Sequence, residues 1–179
     1  SNTLMKKYEE QQKNVRNNRE FDSLVRKVSA DLGPDEIPIF IGILNGSFLF
    51  AADFIRKYTH NCEVSFVKLS SYQGTSSSDI VHELIGINED LSGRTIVILE
   101  DIIDTGTTLH KIYDSFKNKD IKQLKIATLF FKPDVYRKEL PIDYIGKNIE
   151  DKFIVGYGLD YNGLGRNLPA VYQLTTETN

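Results

Sequence analysis

Three carboxylates, Glu100, Asp101 and Asp104, follow the unbroken apolar run Ile96 to Leu99 and precede Thr105-Gly106-Thr107-Thr108. Adjacent carboxylates accept hydrogen bonds from neighbouring hydroxyls, as a ribose diol presents them. A small hydroxyl-rich loop opening a helix suits an anion, because the first helical turn carries unpaired N–H groups and the positive end of the dipole. Together the two features suit a sugar phosphate. The plain alternative is that Asp104 or Thr105 merely caps an ordinary helix. Three acids at the carboxyl end of a buried strand favour the sugar phosphate, since open α/β sheets bind ligands there.

The elements holding these residues follow from periodicity. Ile96 to Leu99 is rich in β-branched residues and reads as a strand buried on both faces of a parallel sheet. Leu109, Ile112, Tyr113 and Phe116 recur at helical spacing beyond the loop. Upstream, residues 3–20 are polar and charge-mixed, a solvated arm or frayed helix. Phe21, Leu24, Val25, Val28 and Leu32 mark a helix face ended by Gly33-Pro34. A buried strand is expected from Ile37 to Leu44, a helix from Phe48 to Tyr58, and strands at Val64 to Leu69, Ile80 to Ile87 and Leu124 to Phe131. Residues 72–79 read as a mobile loop by composition.

Strands alternating with helices give an α/β domain with a mainly parallel central sheet flanked by helices. After Lys132-Pro133 the texture changes. Residues 133–179 hold three Pro and five Gly, short strand-like runs at Phe153 to Val155 and Ala170 to Leu174, and no helix. We expect one domain, with a core over about 21–132 and a small C-terminal hood over about 133–179.

The 179 residues, 40% hydrophobic and 26% charged, suit one soluble globule with a real core. A net charge of −3 offers no electrostatic case for nucleic acid or a membrane surface. One cysteine, Cys62, excludes an internal disulfide and fits a reducing compartment. No leader or spanning segment is read, so the expected location is cytoplasmic. His60, His82 and His110 show no metal-ligand spacing, and neither a P-loop nor a dinucleotide-binding glycine motif occurs.

Val97 to Leu109 resembles the phosphoribosyl-diphosphate (PRPP) motif of type I phosphoribosyltransferases: an apolar run, two acids, two apolar residues, then Asp-Thr-Gly-x-Thr. Within that family, Phe40 to Phe48 resembles the first active-site loop of the hypoxanthine-guanine branch. Leu69 to Gly74 resembles its mobile catalytic loop, with the Ser71-Tyr72 pair. Asp151 to Asn162, with Arg166 beyond, is similar to its purine-binding segment. The resemblance covers most of residues 37–174.

It implies transfer of ribose 5-phosphate from PRPP to a 6-oxopurine (hypoxanthine, also guanine), with release of pyrophosphate. Glu100 and Asp101 would hold the ribose hydroxyls, directly or through Mg2+. Asp104 would act near N7 of the base as general base or acceptor, and Thr105, Gly106, Thr107 and Thr108 would bind the 5′-phosphate. Leu44, Asn45 and Gly46 would bind pyrophosphate through backbone amides, at a peptide bond often cis in the family, and Arg166 would meet pyrophosphate too. Asn45 departs from the lysine usual there. Asp160 would meet a second magnesium through water, completing the metal set Glu100, Asp101 and Asp160. Phe153 would stack on the purine, with the Ile154 backbone at its edge, although on pattern alone both fit a subdomain core. Lys132 would choose the base: a donor-only ammonium pairs with a 6-oxo group and opposes the 6-amino group of adenine. Otherwise it is a solvated lysine at a strand end. Ser71 and Tyr72 would belong to a lid that excludes water, or to a polar turn. A homo-oligomer, dimer or tetramer, is expected, with PRPP and the oxopurine as the small-molecule partners.

Two rivals share the fold. One is a non-catalytic regulator that senses PRPP, which this acidic chain, lacking an added nucleic-acid module, does not favour. The other is an enzyme preferring xanthine.

Overall fold

The computed structural model describes residues 8–76 and 78–174. Its main sheet has six strands: β2 (Ile39–Ile43), β3 (Glu63–Gln73), β4 (Ile80–Ile85), β5 (Thr95–Ile103), β6 (Gln123–Phe131) and β7 (Tyr144–Asn148). They lie in the order β4-β3-β2-β5-β6-β7, all parallel except β4, which returns antiparallel to β3. The expected mainly parallel sheet is therefore present, with β5 near its centre.

The continuous apolar runs of β2 and β5 arise because both sheet faces are covered. Phe40, Val97 and Leu99 enter one packed cluster, and Ile39, Ile41, Ile96 and Ile98 the other. Helices α1 (Arg19–Leu32) and α2 (Phe48–Lys57) bring Phe21, Leu24, Phe50 and Phe54 to the first cluster. Helix α3 (Thr107–Phe116) brings Leu109, Ile112 and Phe116 to the second. Each such fully buried side chain contributes about 1.5–3 kcal/mol. α1 starts where Asn18 accepts a hydrogen bond from the Phe21 amide at 2.9 Å, and stops at Gly33, whose φ of 75° ends the helix as Gly33-Pro34 predicts.

Three features differ from the sequence reading. The expected N-terminal arm contains β1 (Tyr8–Gln12), paired antiparallel with β9 (Val171–Leu174), and a 3-10 turn, Val15–Asn17, whose Val15 is buried. Residues 3–7 of that arm lie outside the described residues. Pairing with the sequence-distant β9 created β1, which a polar local pattern does not announce. Next, β3 continues through Ser70 to Gln73 because β4 pairs with it, so the expected loop 72–79 shortens to a connection after Gln73. Finally, β7 is an edge strand with a Gly and polar residues, and pairs with β6 in the main sheet.

The two sheets thus divide the chain otherwise than at residue 132. β7 belongs to the main sheet, while β8 (Ile154–Val155), β9 and the N-terminal β1 make a three-stranded antiparallel sheet. Residues 175–179 of the expected hood lie outside the described residues. No helix among the described residues is long and apolar enough to cross a membrane.

Candidate active site

β5 delivers its acids at its carboxyl end, as the sequence predicts. Glu100 and Asp101 are each only 7% exposed. Burial is the main force holding Glu100 protonated well above the usual carboxylate range, and the Asp101 charge and a hydrogen bond to Asp101 add to it. Asp101 is pushed up to about 6, again chiefly by burial, against the backbone amides, the Glu100 hydrogen bond and the positive charge of Arg166. Both carboxyls are therefore held toward the protonated form, chiefly by burial.

Beyond the acids the chain wraps a cavity of about 270 Å³, lined by Glu100 and by Ile102 through Leu109. Gly106 turns the chain into α3 with φ 89°, a left-handed conformation open to glycine. A β-carbon there would also stand 2.6 Å from the Tyr136 ring. Among the described residues no side chain caps α3, so its first amides keep no partner of their own helix. The hydroxyls of Thr105 and Thr107 lie 3.2 Å apart on the exposed side of this loop. The loop is held from behind, where the Arg137 amide donates to the Thr105 carbonyl at 3.0 Å. Asp104 is exposed and does not cap the helix, so the cap alternative fails for it.

The loop after β2 meets the acids from the neighbouring strand. The Leu44–Asn45 peptide is cis, Asn45 is exposed, and the α-carbon of Gly46 packs directly on the Asp101 carboxylate. Gly158 in turn packs on the Gly46 carbonyl. Arg166 donates to the Gly158 carbonyl at 2.7 Å and pairs with Asp160 at 3.3 Å. Loop 44–46, the acids of β5 and the 158–166 segment therefore converge.

Lys132 follows β6 and is buried, at 6% exposure, rather than solvated. Its Nζ lies 3.3 Å from Asp104 and 3.4 Å from Asp151. Phe153 is half-exposed, with its ring edge-on to Tyr161 at 5.9 Å, and Ile154 is buried in β8. Phe153 is thus not a core residue, whereas Ile154 is. Ser71 and Tyr72, expected at a loop, stand on β3 instead, exposed, with the Ser71 hydroxyl 2.8 Å from His82 Nδ1 across the hairpin.

Sequence reasoning missed the contact of Asp151 with Lys132 and the Tyr136-Arg137 support behind loop 105–108. Both lie in segments of mixed polarity without periodicity, so only tertiary contact reveals them. No group of three or more His, Cys, Asp or Glu suited to a metal occurs among the described residues. The oxygen-only pair Glu100 and Asp101 nevertheless fits magnesium, which binds through one or two carboxylates and takes its other ligands from water and phosphates. Both Asp160 oxygens are engaged, by Arg166 and by the Gly163 amide at 2.8 Å, which suits an indirect contact better than a direct one.

Comparison with known proteins points the same way. A family model described as a phosphoribosyl transferase domain matches residues 9–162. A hypoxanthine-guanine phosphoribosyltransferase of Streptococcus pneumoniae is 39% identical over 162 residues, covering 88% of this chain and 90% of its own. One from Streptococcus pyogenes is 45% identical over 141 residues, 78% of each chain. Among solved structures, a hypoxanthine phosphoribosyltransferase from Staphylococcus aureus superposes with a TM-score of 0.79 at 30% identity, over 97% of this chain and 95% of that one.

Proposed function

The chain belongs to the phosphoribosyltransferase family, and from that premise we propose that it is a purine salvage enzyme moving the 5-phosphoribosyl group of PRPP onto a 6-oxopurine. Hypoxanthine gives inosine monophosphate, guanine gives guanosine monophosphate, and pyrophosphate leaves. The relatives named hypoxanthine-guanine phosphoribosyltransferase support this reading along most of the chain. The observation that carries it is the open cavity between Glu100 and the uncapped start of α3, with a buried lysine beside Asp104.

The C1′–oxygen bond to pyrophosphate breaks with its electron pair leaving on pyrophosphate. A purine nitrogen then bonds to the cation-like C1′. Little covalent chemistry falls to the protein, so positioning and electrostatics dominate. The amides and hydroxyls of Thr105 to Thr108 bind the 5′-phosphate, and Glu100 and Asp101 hold the ribose diol. Loop 44–46 and Arg166 receive pyrophosphate, Arg166 through a planar multi-donor group suited to it. Asp104 accepts the proton from N7 of the base. Lys132 donates to the purine O6, a contact adenine would meet with a donor of its own. Phe153 stacks on the ring beside the Ile154 backbone, and Ser71 and Tyr72 ride on the β3–β4 hairpin as a lid. Magnesium, when bound, would be held by Glu100 and Asp101, with Asp160 reaching it through water, and would offset charge on the pyrophosphate oxygens. The enzyme works in the cytoplasm as a homo-oligomer.

The test is purified protein with PRPP, magnesium and, separately, hypoxanthine, guanine and xanthine. Formation of inosine and guanosine monophosphates supports the reading. Turnover of none would favour a PRPP-sensing regulator, and turnover of xanthine alone would reassign the base.

A further inference from the structure

Lys132 is buried between two carboxylates, and only one of them, Asp104, belongs to the reacting apparatus proposed above. The other, Asp151, has no role yet. Its side chain is about half exposed, so its 3.4 Å approach to Lys132 Nζ brings a solvated acid onto a buried cation. Asp151 lies on the connector from β7 to β8, between Asn148 and Ile154. That connector is fastened to the end of β6, where the Ile149 amide donates to the Phe131 carbonyl at 2.8 Å, one residue before Lys132. Two residues past Asp151 stands Phe153. One ion pair thus ties the lysine after β6 to the segment that carries Phe153 and Ile154.

The ammonium carries three N–H donors, so it can keep Asp151 while a donor turns from Asp104 to the purine O6, and a buried ammonium cannot be left without a partner. Resting on the reading above, we propose that Asp151 is a positioning residue that anchors Lys132 while its contact to Asp104 is exchanged for the 6-oxo group. In the free protein the ammonium is shared between two acids at nearly equal distances. Arrival of the oxopurine replaces one oxygen partner, the Asp104 carboxylate, by another, O6. Asp151 keeps the charge compensated throughout, and Asp104 is released to accept the N7 proton. Asp151 touches neither substrate nor reacting atoms in this scheme, and its effect passes through Lys132.

The experiment compares wild type, Asp151→Asn and Asp151→Glu in steady-state kinetics and thermal melting. Asp151→Asn should raise the KM for hypoxanthine about tenfold, the scale of one charge-assisted hydrogen bond. The KM for PRPP should change less than about twofold, the melting temperature should hold within a few degrees, and Asp151→Glu should recover most of the loss. A purely structural residue would move both KM values together with the melting temperature, and that result overturns the proposal. So does an unchanged KM for hypoxanthine in an active variant. Wild-type protein that turns over no oxopurine would sink the functional reading and this inference with it, whereas an active wild type with an indifferent variant sinks this inference alone.

Discussion

The carboxylate of Asp101 rests on the α-carbon of Gly46, with no room between them for a β-carbon. This close approach joins the loop after β2 to the acids of β5. It explains a glycine at position 46 by space, not by an unusual backbone angle.

Gly46→Ala should therefore displace either Asp101 or the loop. Overpacking of this kind costs about 1–3 kcal/mol of stability. Misplacing an acid by about 1 Å should lower kcat/KM for PRPP roughly 100-fold. Steady-state kinetics and urea denaturation read both effects, and a variant with wild-type values would show that the contact is loose.

The two buried acids predict a pH effect of definite sign. Their folded-state pKa values are raised, Asp101 to about 6 and Glu100 well above the usual range. The folded chain then holds protons that the unfolded chain has released, so these groups cost stability as pH rises above about 4 and through about 6, continuing higher for Glu100. Asp31 and Glu36 are lowered, the first chiefly by its hydrogen bond from Tyr144 and the second by that from Lys122, and they contribute the opposite slope. The clean quantity is a difference. Asp101→Asn should gain stability relative to wild type as pH rises across this window. Denaturation curves of the two proteins without divalent ions, taken from pH 4 to 8, measure it. Curves that stay parallel would mean Asp101 titrates normally.

Lys132 and Asp104 should separate kinetically although they touch. Lys132→Ala should raise the KM for hypoxanthine by about 10- to 100-fold, leave PRPP affinity intact and weaken discrimination against adenine. Asp104→Ala should lower kcat by roughly 100-fold or more with little change in PRPP affinity, as loss of a general base does. Calorimetric titration with PRPP beside initial-rate kinetics distinguishes them. Loss of PRPP affinity in Asp104→Ala, with kcat kept, would remove it from the chemistry.

Much of this was legible because the central elements are strongly patterned. Ile96 to Leu99 reads as a strand buried on two faces, and the acids and loop after it follow in one continuous segment. Lys132 was harder: sequence marks the end of β6 but not that the side chain turns inward onto Asp104. The pairing of Asp151, the first residue of the segment 151–162, was not legible, since its partner lies 19 residues away. β1 falls in a stretch whose polar pattern suggests a solvated arm or frayed helix, because Tyr8–Gln12 carry no apolar alternation, and its strand state comes from backbone pairing with β9. Composition places Tyr72 and Gln73 in the loop 72–79 for the same reason, whereas pairing with β4 imposes a strand through Gln73. Local pattern identified elements that bury side chains and overlooked those held by main-chain bonds to distant segments.

Where a nucleotide sits decides the function of this site, so a crystal structure with inosine monophosphate is the most direct measurement. It should show the 5′-phosphate within about 3 Å of the amides at the start of α3, the ribose hydroxyls facing Glu100 and Asp101, and the purine O6 on Lys132. A nucleotide whose phosphate lies away from residues 105–108, or whose sugar leaves those two acids untouched, would contradict it.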